Sequence, residues 1–229
     1  MKHIKHLFFD LDHTLWDFDK NSRLTFEFLF KKHQLTVNFE AFMKSYEVIN
    51  LNYWKLYREE KINKKELRFN RLNETFLSVN FKADADLIQE LSEDYIKYLS
   101  EYNYLFDGTL EVLAYLKLHY SLHIITNGFT EVQQKKIDKS GLTSFFTTIT
   151  DAEMVGVKKP NCKIFNEALQ KANANLNESI MIGDSYEADV LGAINCGLEA
   201  LFFNPYQQKN PKNIKEVNHL LQLKTIFTF

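Results

Sequence analysis

The sequence predicts an α/β protein: a parallel sheet flanked by helices, interrupted after its first strand by an inserted all-helical domain. Three observations predict it. Short apolar runs alternate with helix-length segments through the second half of the chain. One more run of the same kind stands near the N-terminus. Between them lies a long stretch without breakers: the first 107 residues contain neither glycine nor proline, and all 7 Gly and 3 Pro come later. Turn punctuation is thus confined to the second half, and a breaker-free stretch favours helices joined by polar turns.

The N-terminal run, Leu7–Phe9, reads as a fully buried strand of a parallel sheet. From about Phe18 to Tyr104 the pattern is helical. Phe39, Met43, Tyr46 and Ile49, then Leu87, Leu91, Tyr95, Leu99 and Tyr102, recur at spacings of three or four, each set one stripe of a helix. Three to five helices fit here. From Leu105 the character changes. Apolar runs at Leu122–Ile125, Phe146–Ile149, Ser179–Ile182 and Ala200–Phe203 alternate with helical segments near Gly108–His119, Thr130–Ser140, Cys162–Ala172 and Glu187–Cys196. Alternation at this pitch means a parallel sheet with helices on its faces. The division expected is therefore an α/β core of residues 1–15 plus 105–229 and a helical insertion of residues 16–104. The tail after Pro211 is weakly patterned.

Composition narrows the function classes. At 229 residues, with 45% hydrophobic, 14% aromatic and 25% charged residues, the chain can bury a sizeable core. A net charge of −2 argues against binding a nucleic acid polymer, which needs a dense positive field. No apolar run reaches the ~18–20 residues of a membrane span, and the N-terminal run is too short for a signal-peptide core. Two cysteines, Cys162 and Cys196, make no disulfide framework and suggest neutral thiols in a reducing, cytoplasmic compartment.

In an open parallel sheet, ligands bind at the carboxyl ends of the strands. After the first strand come Asp10, Asp12 and Thr14; after the second, Thr126-Asn127-Gly128; after the fourth, Gly183-Asp184, with Asp189 five residues beyond. Lys158-Lys159-Pro160 precedes that fourth strand. Carboxylates, a hydroxyl and an ammonium gathered in one crevice suit a hard cation together with an anion, and Mg²⁺ shared between carboxylates and a substrate phosphate fits. Taken singly, each Asp also reads as a helix cap or turn residue, and Lys158-Lys159 as a solvated pair. A calcium loop starting at Asp10 fails, because its sixth and twelfth positions are Leu15 and Asn21 rather than Gly and Glu.

FFDLDHTL (Phe8–Leu15), IITNG (Ile124–Gly128), KKP (Lys158–Pro160) and GDSYEAD (Gly183–Asp189), in that order, resemble the haloacid dehalogenase superfamily of phosphohydrolases. The resemblance implies a Rossmann-like parallel sheet core with a helical cap, and Mg²⁺ as cofactor. It also implies roles. Asp10 would be the nucleophile that forms an aspartyl-phosphate. Asp12 would be the general acid and then the base, its backbone carbonyl also binding the metal. Asp10 and Asp184 would supply carboxylate ligands, and Asp189 would orient that cluster. Thr126, Asn127 and Gly128 would hold phosphate oxygens, and Lys159 would neutralise charge between nucleophile and phosphate, with Lys158 the weaker candidate. Members that cleave carbon–halogen bonds lack the second acidic residue, here Asp12, so phosphoryl transfer is implied.

Two positions depart from the common pattern. His13 stands where many relatives have Gly, and Asn161-Cys162 where many have Asp-Pro. The stretches Ile124–Leu142 and Val155–Phe165 resemble the bacterial branch of noncanonical pyrimidine 5′-nucleotidases, which implies a nucleoside monophosphate as the small phosphomonoester substrate. A sugar-phosphate or phosphoglycolate phosphatase, a phosphomutase and a catalytically silent binding protein are the alternatives. Substrate choice would lie in the helical insertion. There, Lys55–Arg71 holds seven basic and three acidic residues interleaved with Tyr57 and Phe69, an anion-attracting face or an ordinary solvated one. Trp16 and Phe18 are placed either to touch a base or to form a hydrophobic wall.

Overall fold

The computed structural model describes residue 1 and residues 3–228, and the chain divides into two compact units. One joins residues 1–18 to residues 103–229, and the other is residues 19–102. The first holds a six-stranded sheet: β1 (His6–Phe9), β2 (Ser121–Thr126), β3 (Thr148–Asp151), β4 (Ser179–Gly183), β5 (Glu199–Phe203) and β6 (Glu216–Val217). The order is β3-β2-β1-β4-β5-β6, and every neighbouring pair is parallel. β1 pairs through the same four residues with Ser121–Ile124 on one side and Ser179–Ile182 on the other. Leu7, Phe8 and Phe9 are fully buried, as a strand covered on both faces requires.

The helices of this unit are α5 (Thr109–Leu116), α6 (Thr130–Lys139), α7 (Ala152–Val155), α8 (Cys162–Lys171), α9 (Gly192–Asn195) and α10 (Leu223–Ile226). On one side of the sheet, Phe8, Ile125 and Met181 pack with Ile164, Phe165 and Ala168 of α8 and Ala193 of α9. Three elements differ from the sequence reading. β3 starts at Thr148 rather than Phe146, because pairing with β2 begins at His123↔Thr148. The segment expected as one helix over Glu187–Cys196 is a wider, π-type turn over Tyr186–Leu191 followed by α9. The tail beyond Pro211 contributes β6 and the short helix α10.

The cysteine reading is corrected. Cys162, at the start of α8, and Cys196, just after α9, form a disulfide with Cα atoms 5.4 Å apart. A count of two residues 34 positions apart could not show that the fold sets them side by side. The cysteines therefore supply no argument for a reducing compartment. No helix among the described residues is long and apolar enough to cross a membrane.

The second unit contains α1 (Phe18–Lys32, which begins at the boundary), α2 (Phe39–Arg58), α3 (Lys64–Ser78) and α4 (Ala85–Tyr98). Asn38, Asn63 and Asp84 cap α2, α3 and α4, and Asn63 with Glu66 completes a capping box. Phe26, Phe42, Tyr46, Phe76 and Tyr95 form its aromatic core. Arg71 does not belong to a solvated basic face. It is 2% exposed, lies over the Tyr95 ring at 5.0 Å and donates to Asn50 Oδ1 at 2.8 Å.

Where the chain passes between units, its two crossings run side by side. Asp17 N–H donates to the Tyr104 carbonyl and Phe106 N–H to the Leu15 carbonyl, both at 3.0 Å.

Candidate active site

Chain order turns around at β1. β2 and β3 extend the sheet to one side, β4 to β6 to the other, so a crevice opens at the carboxyl end of β1. Asp10 follows β1 directly, and its N–H still bonds the Ile182 carbonyl at 2.9 Å. β2 ends on Thr126, and β4 ends on Gly183 just before Asp184. Three strand ends thus deliver polar side chains to one place.

Lys159 sits at the centre of the first cluster. It is 1% exposed, and its ammonium reaches Asp10 Oδ1 at 2.5 Å, Asp189 Oδ1 at 2.7 Å and the Ile125 carbonyl at 2.7 Å. Asp10 and the Ile125 carbonyl accept hydrogen bonds from it, and Asp189 Oδ1 faces it as an ion pair. Burial works against the ammonium, but Asp10 and Asp189 outweigh it and raise its pKa. The other oxygen of Asp189 accepts the Ser185 N–H at 3.0 Å. Gly183 is required here, because a Cβ would lie 2.3 Å from that carboxylate. Asp184 is braced by Thr14, whose hydroxyl donates to Asp184 Oδ1 at 3.0 Å and accepts the Asp184 N–H at 3.1 Å.

Asp10, Asp184 and Asp189 each offer a carboxylate oxygen within 4.8 Å of the others. Burial, joined by repulsion from Asp189 and Asp184, raises the Asp10 pKa well above the usual carboxylate range, against the pull of Lys159. Burial and the charge of Asp189 push Asp184 up to about 8. Two buried carboxylates and the half-buried Asp184 around one ammonium are short of positive charge, and hard oxygen donors fit Mg²⁺. The Asp12 carboxylate stands outside this group and is held by other partners.

Those partners lie on α6. Lys136 Nζ donates to Asp12 Oδ1 at 2.6 Å and Gln133 Nε2 to Asp12 Oδ2 at 2.9 Å. Gln133 also donates to the Thr126 hydroxyl at 2.7 Å, which accepts the Gly128 N–H at 3.1 Å as well. With both lone pairs used, the Thr126 hydroxyl has its proton to offer. A Cβ on Gly128 would sit 2.3 Å from the Gln133 carboxamide carbon, so a side chain there would displace that carboxamide. Gln133 and Lys136 are each 2% exposed. The sequence reading passed over both. The signal was present: they share the inward face of α6 with Val132 and Ile137, where polar residues are out of place without partners.

Asn127 braces the loop carrying Lys159: its side chain donates to the Lys159 carbonyl at 3.0 Å and accepts the Lys159 N–H at 2.8 Å. Lys158 is half-buried and Lys159 is the one among the carboxylates. His13 has a φ of 62°, a left-handed conformation that glycine adopts without cost. Trp16 is fully buried, and the Lys136 ammonium lies 4.3 Å from its ring centroid. Phe18 is 7% exposed, with the same ammonium at 5.4 Å. Both rings are therefore wall.

The sequence model of the haloacid dehalogenase-like hydrolases matches residues 7–203. The chain is 32% identical over 209 residues to the pyrimidine 5′-nucleotidase YjjG of Escherichia coli (strain K12), covering 91% of this chain and 89% of that one. It is 30% identical over 238 residues to the glyceraldehyde 3-phosphate phosphatase of Methanothermobacter thermautotrophicus, covering 97% and 99%. The crystal structure of the putative hydrolase YfnB from Bacillus subtilis, bound to magnesium, superposes with a TM-score of 0.88 at 28% identity, covering 97% of this chain and 98% of that one.

Proposed function

The chain belongs to the haloacid dehalogenase-like hydrolase family, and from that premise we propose that it is a Mg²⁺-dependent phosphatase working through an aspartyl-phosphate on Asp10, with pyrimidine nucleoside 5′-monophosphates as its substrates. The observation that carries the phosphatase reading is the pair of differently held carboxylates after β1: Asp10 joined to Lys159 among the metal-type donors, and Asp12 held apart by Lys136 and Gln133. In the proposed mechanism the first attacks phosphorus and the second moves a proton. The substrate class is supported by the 32% identical nucleotidase.

In this reading Asp10 attacks phosphorus while Asp12 gives its proton to the ester oxygen. Asp12 then takes a proton from the water that releases phosphate. Lys159 offsets the negative charge between Asp10 and the incoming phosphate. Thr126 offers its proton to a phosphate oxygen, within the turn it forms with Asn127 and Gly128. Asp10 and Asp184 would hold Mg²⁺, aided by the Asp12 carbonyl, and Asp189 would fix Lys159 and the cluster. The ion supplies positive charge where charge builds up on the transferring phosphoryl group.

The test is phosphate release from a panel of pyrimidine and purine nucleoside monophosphates, sugar phosphates and phosphoglycolate. Pyrimidine nucleotides are expected to show the highest kcat/KM. EDTA is expected to remove activity, added Mg²⁺ to restore it, and Asp10→Asn to abolish it. A hexose phosphate or phosphoglycolate cleaved at least about tenfold better would overturn the substrate class and leave the phosphatase standing. Full turnover by Asp10→Asn would overturn the covalent mechanism.

A further inference from the structure

We infer that Lys136 and Gln133 are positioning residues that hold the Asp12 carboxyl group in line for proton transfer, an inference that rests on reading Asp12 as the acid–base group. Asp12 lies on the turn after β1, and its side chain is 21% exposed. A short carboxyl group on such a turn has rotamer freedom, and a proton donor displaced from its line loses rate. Here each oxygen has its own donor: Lys136 on Oδ1 at 2.6 Å and Gln133 on Oδ2 at 2.9 Å. The two donors are three residues apart on α6, which places them on one helix face.

The donors are themselves held. The Lys136 ammonium lies over the Trp16 ring at 4.3 Å and the Phe18 ring at 5.4 Å, where aromatic faces attract a cation. The Gln133 carboxamide fills the space left by the missing Cβ of Gly128 and bonds Thr126. One carboxamide therefore touches both the proton-transfer group and the hydroxyl assigned to the phosphate. It fixes the separation between them. Burying an ion pair is a poor source of stability by itself, which favours a role in placing Asp12.

The chemistry stays balanced without either residue reacting. In the first transfer the Asp10–phosphorus bond forms and the phosphorus–ester oxygen bond breaks, with the Asp12 proton passing to that oxygen. In the second, a water oxygen bonds phosphorus, the Asp10–phosphorus bond breaks and the water proton passes to Asp12. Lys136 and Gln133 orient the group at both steps.

Leaving groups separate this role from a structural one. The alkoxide of an alkyl phosphate needs the Asp12 proton to depart, whereas p-nitrophenolate leaves without it. kcat/KM is the proper readout, because it covers only the steps through first bond cleavage. For Lys136→Met, kcat/KM on uridine 5′-monophosphate, or on the best alkyl phosphomonoester of the panel, is expected to fall at least about tenfold. On p-nitrophenyl phosphate it is expected to fall less than about threefold, and Lys136→Arg should recover most of the loss. Gln133→Met is expected to show the same bias and serves if Lys136→Met does not fold. Equal losses on the two substrates in a folded variant, or none on either, would overturn the inference. Asp12→Asn is the reference. If it shows no leaving-group bias, the acid–base reading falls and this inference with it. If it shows the bias and neither α6 variant does, only this inference fails.

Discussion

His13 holds a φ of 62° and tilts its ring against Phe18, with centroids 4.8 Å apart. A left-handed backbone costs a residue with a Cβ roughly 1–2 kcal/mol, which is why a glycine is common at this turn in the resembling family. The expected outcome is asymmetric. His13→Gly should stay within about 1 kcal/mol of the parent in urea unfolding, because relieved strain offsets the added freedom of the unfolded chain. His13→Val should lose at least about 1 kcal/mol, since a β-branched residue tolerates that φ worst. His123 gives a pH prediction. It is 1% exposed, stacked on Phe8 and hydrogen-bonded to His6 and Thr148, and burial followed by the charge of His6 lowers its pKa from 6.5 to about 4. Between these values the unfolded chain binds the extra proton, so stability rises with pH across that window and is flat above it. The difference amounts to about 3 kcal/mol, lost as pH falls from 6.5 towards 4. Asp184, raised to about 8, acts in the opposite sense. Metal-free wild type should therefore be compared with His123→Gln at pH 7.5 and pH 4.5. The variant should lack this part of the slope, and identical slopes would refute the assignment.

At the scale of the element, the strands of the sheet's interior were legible because both of their faces are covered. β1, β2, β4 and β5 read as apolar runs, since no alternation with solvent interrupts them. β3 was displaced by two residues because its buried end is Thr150-Asp151, which a hydrophobic pattern does not count. β6 is only the pair Glu216–Val217 and leaves too little pattern to find. The carboxylates after β1 and β4 were legible from the rule that strand ends carry chemistry. Gln133 and Lys136 were not, because recognising them needs the knowledge that this face of α6 turns inward. For Trp16 the sequence left base contact and hydrophobic wall open, and the buried ring, which carries a lysine of its own chain, fits the wall.

The whole first unit is tied covalently by a bond that composition argued against. Cys162 follows Lys159 by three residues, and Cys196 lies seven residues past Asp189, so the disulfide joins the segments that meet in the Lys159–Asp189 pair. Closing a span of 34 residues corresponds to about 3–4 kcal/mol in the chain-entropy account. Dithiothreitol is expected to lower the urea midpoint of the wild type and to leave a Cys162→Ser, Cys196→Ser double variant unmoved. Insensitivity of the wild type would mean that the pair is reduced in solution. The place of β1 has a consequence in time. The ribosome makes this strand first, and the sheet uses it in the middle, between β2 and β4. Its hydrogen-bonding groups must wait through the synthesis of residues 19–102, a unit contiguous in sequence that can fold as soon as it emerges. Only when Gly183 has left the exit tunnel do both neighbours exist. The oldest strand of this sheet is thus left open longest, and the crevice at its carboxyl end cannot be complete before β4 has been made.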